Sequence, residues 1–174
     1  EDYAEESSGK LRLIHAGTIY AGIAEVFFEA LQRLLIDDPS LPDILQVDLL
    51  GEIADDYAAM VSRLETAGLL KVHGLLPHSK TLKMMKSSDV LLILMGGDMF
   101  LPSHLPSKFY EYLHTSKPIL VIAGDGELAE MARKSGLGIV VPPQSVESLV
   151  TVISGLLKDR ASGRLVREPN SAYI

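Results

Sequence analysis

The stretch Ser88-Asp89-Val90-Leu91-Leu92-Ile93-Leu94-Met95-Gly96 decides the fold. From Val90 to Met95 every position is apolar, with no polar residue alternating in. A strand with one wet face alternates; one that is apolar throughout has helices over both faces, as in a parallel sheet. The run is also too short to span a bilayer.

Similar runs lie on both sides of it. Strands are expected at Leu11 to Ala16, Gln46 to Leu50, Leu70 to His73, Val90 to Met95, Ile119 to Ala123 and Gly138 to Val141. Between them the apolar residues take a helical period. Val26, Phe27, Ala30, Leu31, Leu34 and Leu35 share one face of the first helix. Val146, Leu149, Val150, Ile153, Leu156 and Leu157 share one face of the last, behind Ser145 as its N-cap. Gly136 is placed to stop the fifth helix, and Pro118 pushes Lys117 out of helical geometry just before a strand. Strand and helix alternate throughout, which predicts an α/β, Rossmann-like three-layer sandwich with a six-stranded parallel sheet.

At 174 residues, 47% hydrophobic and 22% charged, the chain has the size and composition of one globular domain. The expected division is a linker over 1–10, the domain over 11–158 and a polar tail over 159–174 that leads toward a further segment. The acidic start, Glu1-Asp2-Tyr3-Ala4-Glu5-Glu6, has no apolar core and does not read as a signal peptide, so the cytoplasm is the expected compartment. A net charge of -7 argues against broad affinity for nucleic acid, so an anionic ligand must be held locally. There is no cysteine, and the five histidines nowhere show the spacing of metal ligands. Neither a metal nor a cofactor is expected.

In open α/β sheets, ligands collect beyond the carboxyl ends of the strands, so the loops there carry the question of function. The first reads Ala16-Gly17-Thr18-Ile19-Tyr20-Ala21-Gly22-Ile23. Its glycines have the spacing that opens a P-loop, but Ile23 and Ala24 stand where that motif needs Lys and Ser or Thr, which excludes a nucleoside triphosphatase of that kind. What survives is a turn that either brings backbone amides to an anion or is only tight. The third loop, His73-Gly74-Leu75-Leu76-Pro77-His78, is apolar enough to meet a base or to pack under the next helix. The fourth, Gly96 to Pro106, is long and rich in glycine and proline, a length that usually signals function. It feeds a helix whose first amides and dipole attract phosphate, with Ser107 and Lys108 in the first turn. Glu111, one turn on, can accept two hydrogen bonds from a vicinal diol, or can simply pair with Lys108 at i, i+3. These loops are expected to form one pocket between the Gly17 turn, the Leu75 turn and the Lys108 helix, lined by Glu111.

The stretch Pro106-Ser107-Lys108-Phe109-Tyr110-Glu111-Tyr112-Leu113 and its continuation through Lys117-Pro118-Ile119-Leu120 resembles the donor-binding motif of GT-B fold, group 1 retaining glycosyltransferases. The Gly17 to Gly22 turn, the His73-Gly74-Leu75-Leu76-Pro77 turn, Ser88-Asp89-Val90 and the run Gly136 to Pro142 follow the family in the same order, over about residues 11 to 158. The resemblance implies the carboxyl-terminal, donor-binding lobe of an enzyme that transfers a sugar from a UDP- or GDP-sugar to an acceptor, as in surface polysaccharide or glycan synthesis. The acceptor would be held by an amino-terminal lobe of the same parent chain, and any association with the inner membrane face would run through that lobe.

It also implies roles: Glu111 on the ribose, Ser107 and Lys108 on the diphosphate, Leu75 and Leu76 on the base, and Gly17 and Thr18 beside the phosphates. Two regions depart from the family. Ser103 stands eight residues before Glu111, where many members have a second glutamate, and Thr18, Ala21 and Ile23 fill a loop that commonly carries Arg and Lys. Those departures keep open a binding module of the same ancestry without catalysis. The corresponding lobe of a nucleotide-sugar epimerase is a further alternative.

Overall fold

A computed structural model describes residues 9–96 and 102–173. The acidic start and the middle of the fourth loop, 97–101, lie outside the described residues. Six strands form one sheet: β1 (Leu11–Ala16), β2 (Leu45–Leu50), β3 (Leu70–Gly74), β4 (Val90–Met95), β5 (Ile119–Ala123) and β6 (Gly138–Val141). Their order is β3-β2-β1-β4-β5-β6, and every pairing between them is parallel. Among the described residues, six α-helices connect and follow them: α1 (Glu25–Asp37), α2 (Ala58–Thr66), α3 (His78–Ser87), α4 (Ser107–Leu113), α5 (Glu127–Lys134) and α6 (Val146–Ala161).

Alternation along the strands divides the core into two layers. Leu13, Val47, Leu92, Leu94 and Ile122 face α1, α2 and α6, whereas Ile14, Leu91, Ile93, Val121 and Ala123 face α3, α4 and α5. This explains the unbroken apolar run of β4, which is buried along its whole length. In α1, Phe27, Phe28, Ala30, Leu31 and Leu34 are buried. In α6, Leu149, Ile153 and Leu156 are buried, and the Ser145 hydroxyl accepts the Ser148 amide at 3.1 Å, the expected cap. That helix continues past residue 158 to Ala161, and the tail turns back, where the Asn170 amide donates to the Ser135 carbonyl at 2.8 Å.

One polar cluster interrupts the layer on the α3 side. The Asp48 carboxylate on β2 accepts from Arg12 on β1 at 2.9 Å and lies 2.8 Å from His73 Nε2 on β3, with Gln46 also donating. Burial alone would raise the Asp48 carboxyl, but His73, Arg12 and Gln46 together hold it below the usual range.

The strand order reverses between β1 and β4, because the chain moves outward from β1 to β3 and then crosses to the other side of β1. The loops after β1 and β4 therefore leave the sheet toward opposite faces and open a crevice between them. Two glycines let the backbone close up there. A Cβ on Gly96 would sit 2.6 Å from the Ile23 carbonyl oxygen; one on Gly51, whose φ is +134°, would sit 2.3 Å from that of Gly17. Neither site has room for a side chain.

Candidate functional site

The first loop packs over the carboxyl end of β1, and its amides are largely committed. Gly17 N–H donates to the Leu50 carbonyl and Ile19 N–H to that of Glu52, both at 2.8 Å. Gly22 N–H donates to the Glu25 carboxylate at 3.1 Å. The amides of Ile23 and Ala24, at the start of α1, both donate to the Tyr57 hydroxyl at 3.1 Å. Tyr57 is buried in the turn that precedes α2, so the amino end of α1, which would attract an anion, is capped by the protein's own phenol. Gly17 thus gives a close-packed turn whose amide bonds to β2, while Thr18 lines a cavity described below.

Beneath this loop lies His15. Its Nδ1–H donates to the Leu92 carbonyl at 3.0 Å, and Nε2 has no hydrogen-bond partner among the described residues. Burial pushes its pKa down to about 4, so the ring is neutral at pH 7.

On the other side of the crevice stands α4. Lys108 Nζ lies 3.1 Å from Glu111 Oε2, and both side chains are about one-third exposed. The other carboxylate oxygen, Oε1, has no partner among the described residues, so the pair leaves an acceptor open to a ligand. Ser107, the first helical residue, is exposed. Tyr112, one residue after Glu111, is buried and its hydroxyl accepts the Ala16 amide at 3.0 Å. That bond ties α4 to the end of β1 across the switch point. Burial pushes the Tyr112 hydroxyl up, so it stays neutral. Ser103 is exposed before the helix.

At the far edge, after β3, Leu75 is 75% exposed, a large apolar side chain offered to solvent, whereas Leu76 packs partly onto the core. With neighbouring strands about 4.8 Å apart, β3 stands roughly 14 Å from β4, so the Leu75 turn and α4 can meet opposite ends of one elongated ligand.

Among the described residues, the cavity at this edge does not join all three expected walls. A cavity of about 850 Å³ lies over the carboxyl ends of β1 to β3, lined by Thr18, Ile19, Glu52, Asp55, Glu65 and Gly74 among others. It reaches the Gly17 and Leu75 turns but not Lys108 or Glu111. The reason is the switch in crossover face: α2 forms a wall of the cavity, while α4 covers the opposite face of the sheet. Three carboxylates in the lining, from Glu52, Asp55 and Glu65, make it unfavourable for phosphate.

No protein-family model and no curated protein sequence matches the chain. Solved structures do. The C-terminal domain of a group 1 family glycosyl transferase, LpcC of Francisella tularensis, aligns over 88% of this chain and 78% of its own with a TM-score of 0.63 at 14% identity. The fold is that of a GT-B carboxyl-terminal lobe. WaaG, a glycosyltransferase involved in lipopolysaccharide biosynthesis, matches this chain with a TM-score of 0.70 and 18% identity, over 90% of this chain and 40% of its own. HepE of Anabaena, solved in complex with UDP, gives 0.64 and 14% over 90% of this chain and 42% of its own. The chain thus spans about two fifths of the length of WaaG and HepE. Among its described residues no helix is long and apolar enough to cross a membrane.

Sequence reasoning did not find Tyr57, Tyr112 or His15. The contacts of Tyr57 and Tyr112 span 33 to 96 residues, and no local spacing announces them.

Proposed function

We propose that this chain is the donor-binding lobe of a glycosyltransferase that moves a sugar from a nucleotide diphosphate sugar to an acceptor, in the synthesis of a surface polysaccharide or glycan. The observation that carries the reading is α4, which presents Lys108 and Glu111 beside the β1/β4 crevice in a fold shared with a protein solved with UDP.

The base lies against the exposed Leu75 and Leu76, and the ribose diol donates to Glu111. The diphosphate is held by Lys108, Ser107 and the first amides of α4, with Gly17 and Thr18 on the other side of the crevice. Transfer leaves negative charge on the departing diphosphate, and stabilising that charge is the main electrostatic task of the lobe. Because the first loop supplies no cation and has committed most of its amides, that task falls on Lys108. An amino-terminal lobe in the parent chain orients the acceptor and excludes water. The setting is the cytoplasm, with any membrane contact made by that lobe.

Calorimetric titration with UDP and GDP tests the reading. The chain binds one of them, and Glu111→Ala removes hydrogen bonding to a charged group worth on the order of 1.5 to 3 kcal/mol, a ten- to hundredfold loss in affinity. Absence of nucleotide binding, or an unchanged affinity in the variant, defeats the assignment.

A further inference from the structure

At the amino ends of β4 and β5, the edge of the sheet opposite the crevice, lies a second cavity of about 290 Å³. Its body wall carries Asp89, Ser116 and Lys117, its third side carries Arg160 near the end of α6, and the tail from Gly163 to Arg167 closes it. Three cationic side chains therefore face one carboxylate, in a chain whose net charge is -7. Asp89 is already engaged: Oδ2 accepts the Arg12 amide at 2.9 Å and lies 3.5 Å from Arg160 Nε. Arg167 has no ion-pair partner among the described residues. Lys117 Nζ donates to the Ser88 carbonyl, which occupies one of its three N–H groups.

We infer that this cavity is a second ligand site, separate from the carboxyl-edge crevice, which holds the phosphoryl group of free phosphate or a small phosphate monoester between Lys117, Arg160 and Arg167. Three positive charges against one negative leave a balance of two, which matches a phosphate dianion. The guanidinium fork suits the tetrahedral arrangement of its oxygens. Burial lowers the pKa of Lys117, the sign of an ammonium deprived of water, and an anion in contact would restore what burial removed. A recess of this size admits a phosphoryl group with a small carrier and excludes a flat membrane surface. Because one wall is the sheet edge and the other the tail, the bound anion fastens residues 163–167 to the body of the domain.

The test is calorimetric titration of the whole chain with inorganic phosphate and with glucose 6-phosphate, chloride being used to hold the ionic strength constant. Hydrogen exchange is followed in parallel at 163–167. The wild type should bind saturably with slowed exchange in the tail. Lys117→Gln, which keeps a donor for Ser88, and Arg167→Gln, which alters an exposed residue, should each weaken binding at least tenfold. Lys71→Gln, at an exposed lysine that lines neither cavity, should bind as the wild type does. Inorganic phosphate alone binding indicates a free-ion site; tighter binding of the monoester indicates a carried phosphoryl group. The proposal is overturned if the wild type binds neither probe, if either cavity variant binds as tightly as the wild type, or if Lys71→Gln is the variant that loses binding.

Discussion

The first loop and α4 flank the same crevice and begin from similar local chemistry, a turn of small residues leading into a helix. They spend their polar groups differently. The first loop turns five amides inward, to Leu50, Glu52, Glu25 and twice to Tyr57. The start of α4 has no side-chain cap, and its charged residues meet in a partly exposed pair in which one carboxylate oxygen has no bond among the described residues. A glycine-rich turn after a strand is therefore not by itself a phosphate cradle. What matters is whether another element has already taken its donors.

If the first loop is a structural device and α4 a binding one, substitutions in the two should differ in what they cost. The largest effect is expected from Gly51→Ala, which forces a Cβ into the Gly17 carbonyl at a positive φ. Strain and overpacking together should cost about 3 to 4 kcal/mol in urea unfolding, and a loss below about 1 kcal/mol would show that the loop yields easily.

Acid should act on the same region. The folded pKa of His15, about 4, is below the 6.5 of the free side chain, so the unfolded chain binds more protons between those values. The stabilisation is complete above pH 6.5 and is lost as pH falls toward 4, by on the order of 3 kcal/mol. Unfolding curves of wild type and His15→Gln across that range should diverge, the variant being much flatter; parallel curves would remove His15 as the cause.

Tyr57→Phe keeps the ring and deletes the acceptor of two buried amides, for an expected cost of about 2 to 3 kcal/mol by urea unfolding. A neutral result would mean that water replaces the hydroxyl. The smallest change is expected in α4. Lys108→Gln breaks a partly exposed i, i+3 pair and should alter stability by about 0.2 to 0.5 kcal/mol. A loss as large as that of Tyr57→Phe would make the pair structural and erase the contrast between the two regions.

Strand positions were legible because each rests on local composition. Four strands, among them Val90–Met95, have the bounds expected from the apolar runs, and the other two differ by one residue at one end. The Ser145 cap was legible for the same reason. Leu75 was also readable, as an apolar residue in a loop with nothing to bury it. The division of the loops between two faces was not readable, because it depends on which side of the sheet each helix crosses. That choice is tertiary, so the cavity wall formed by α2 and the isolation of Glu111 from it left no trace in the spacing of residues. The same holds for Asp48, which reads as one polar residue in an apolar strand until Arg12 and His73 are brought to it from neighbouring strands.

The position of β1 at the centre of the sheet has a consequence for synthesis. Its first partner, β2, follows closely, but its second, β4, pairs Val90 with Leu13, 77 residues away. At 5 to 20 residues per second, a ribosome needs about 4 to 15 s to deliver that strand. During that interval one edge of β1 has no native neighbour, and the emerging half-sheet is open to pairing with another polypeptide. Slowing translation between α1 and β4 should therefore lower the soluble yield, and a chaperone that shields extended apolar segments should restore it.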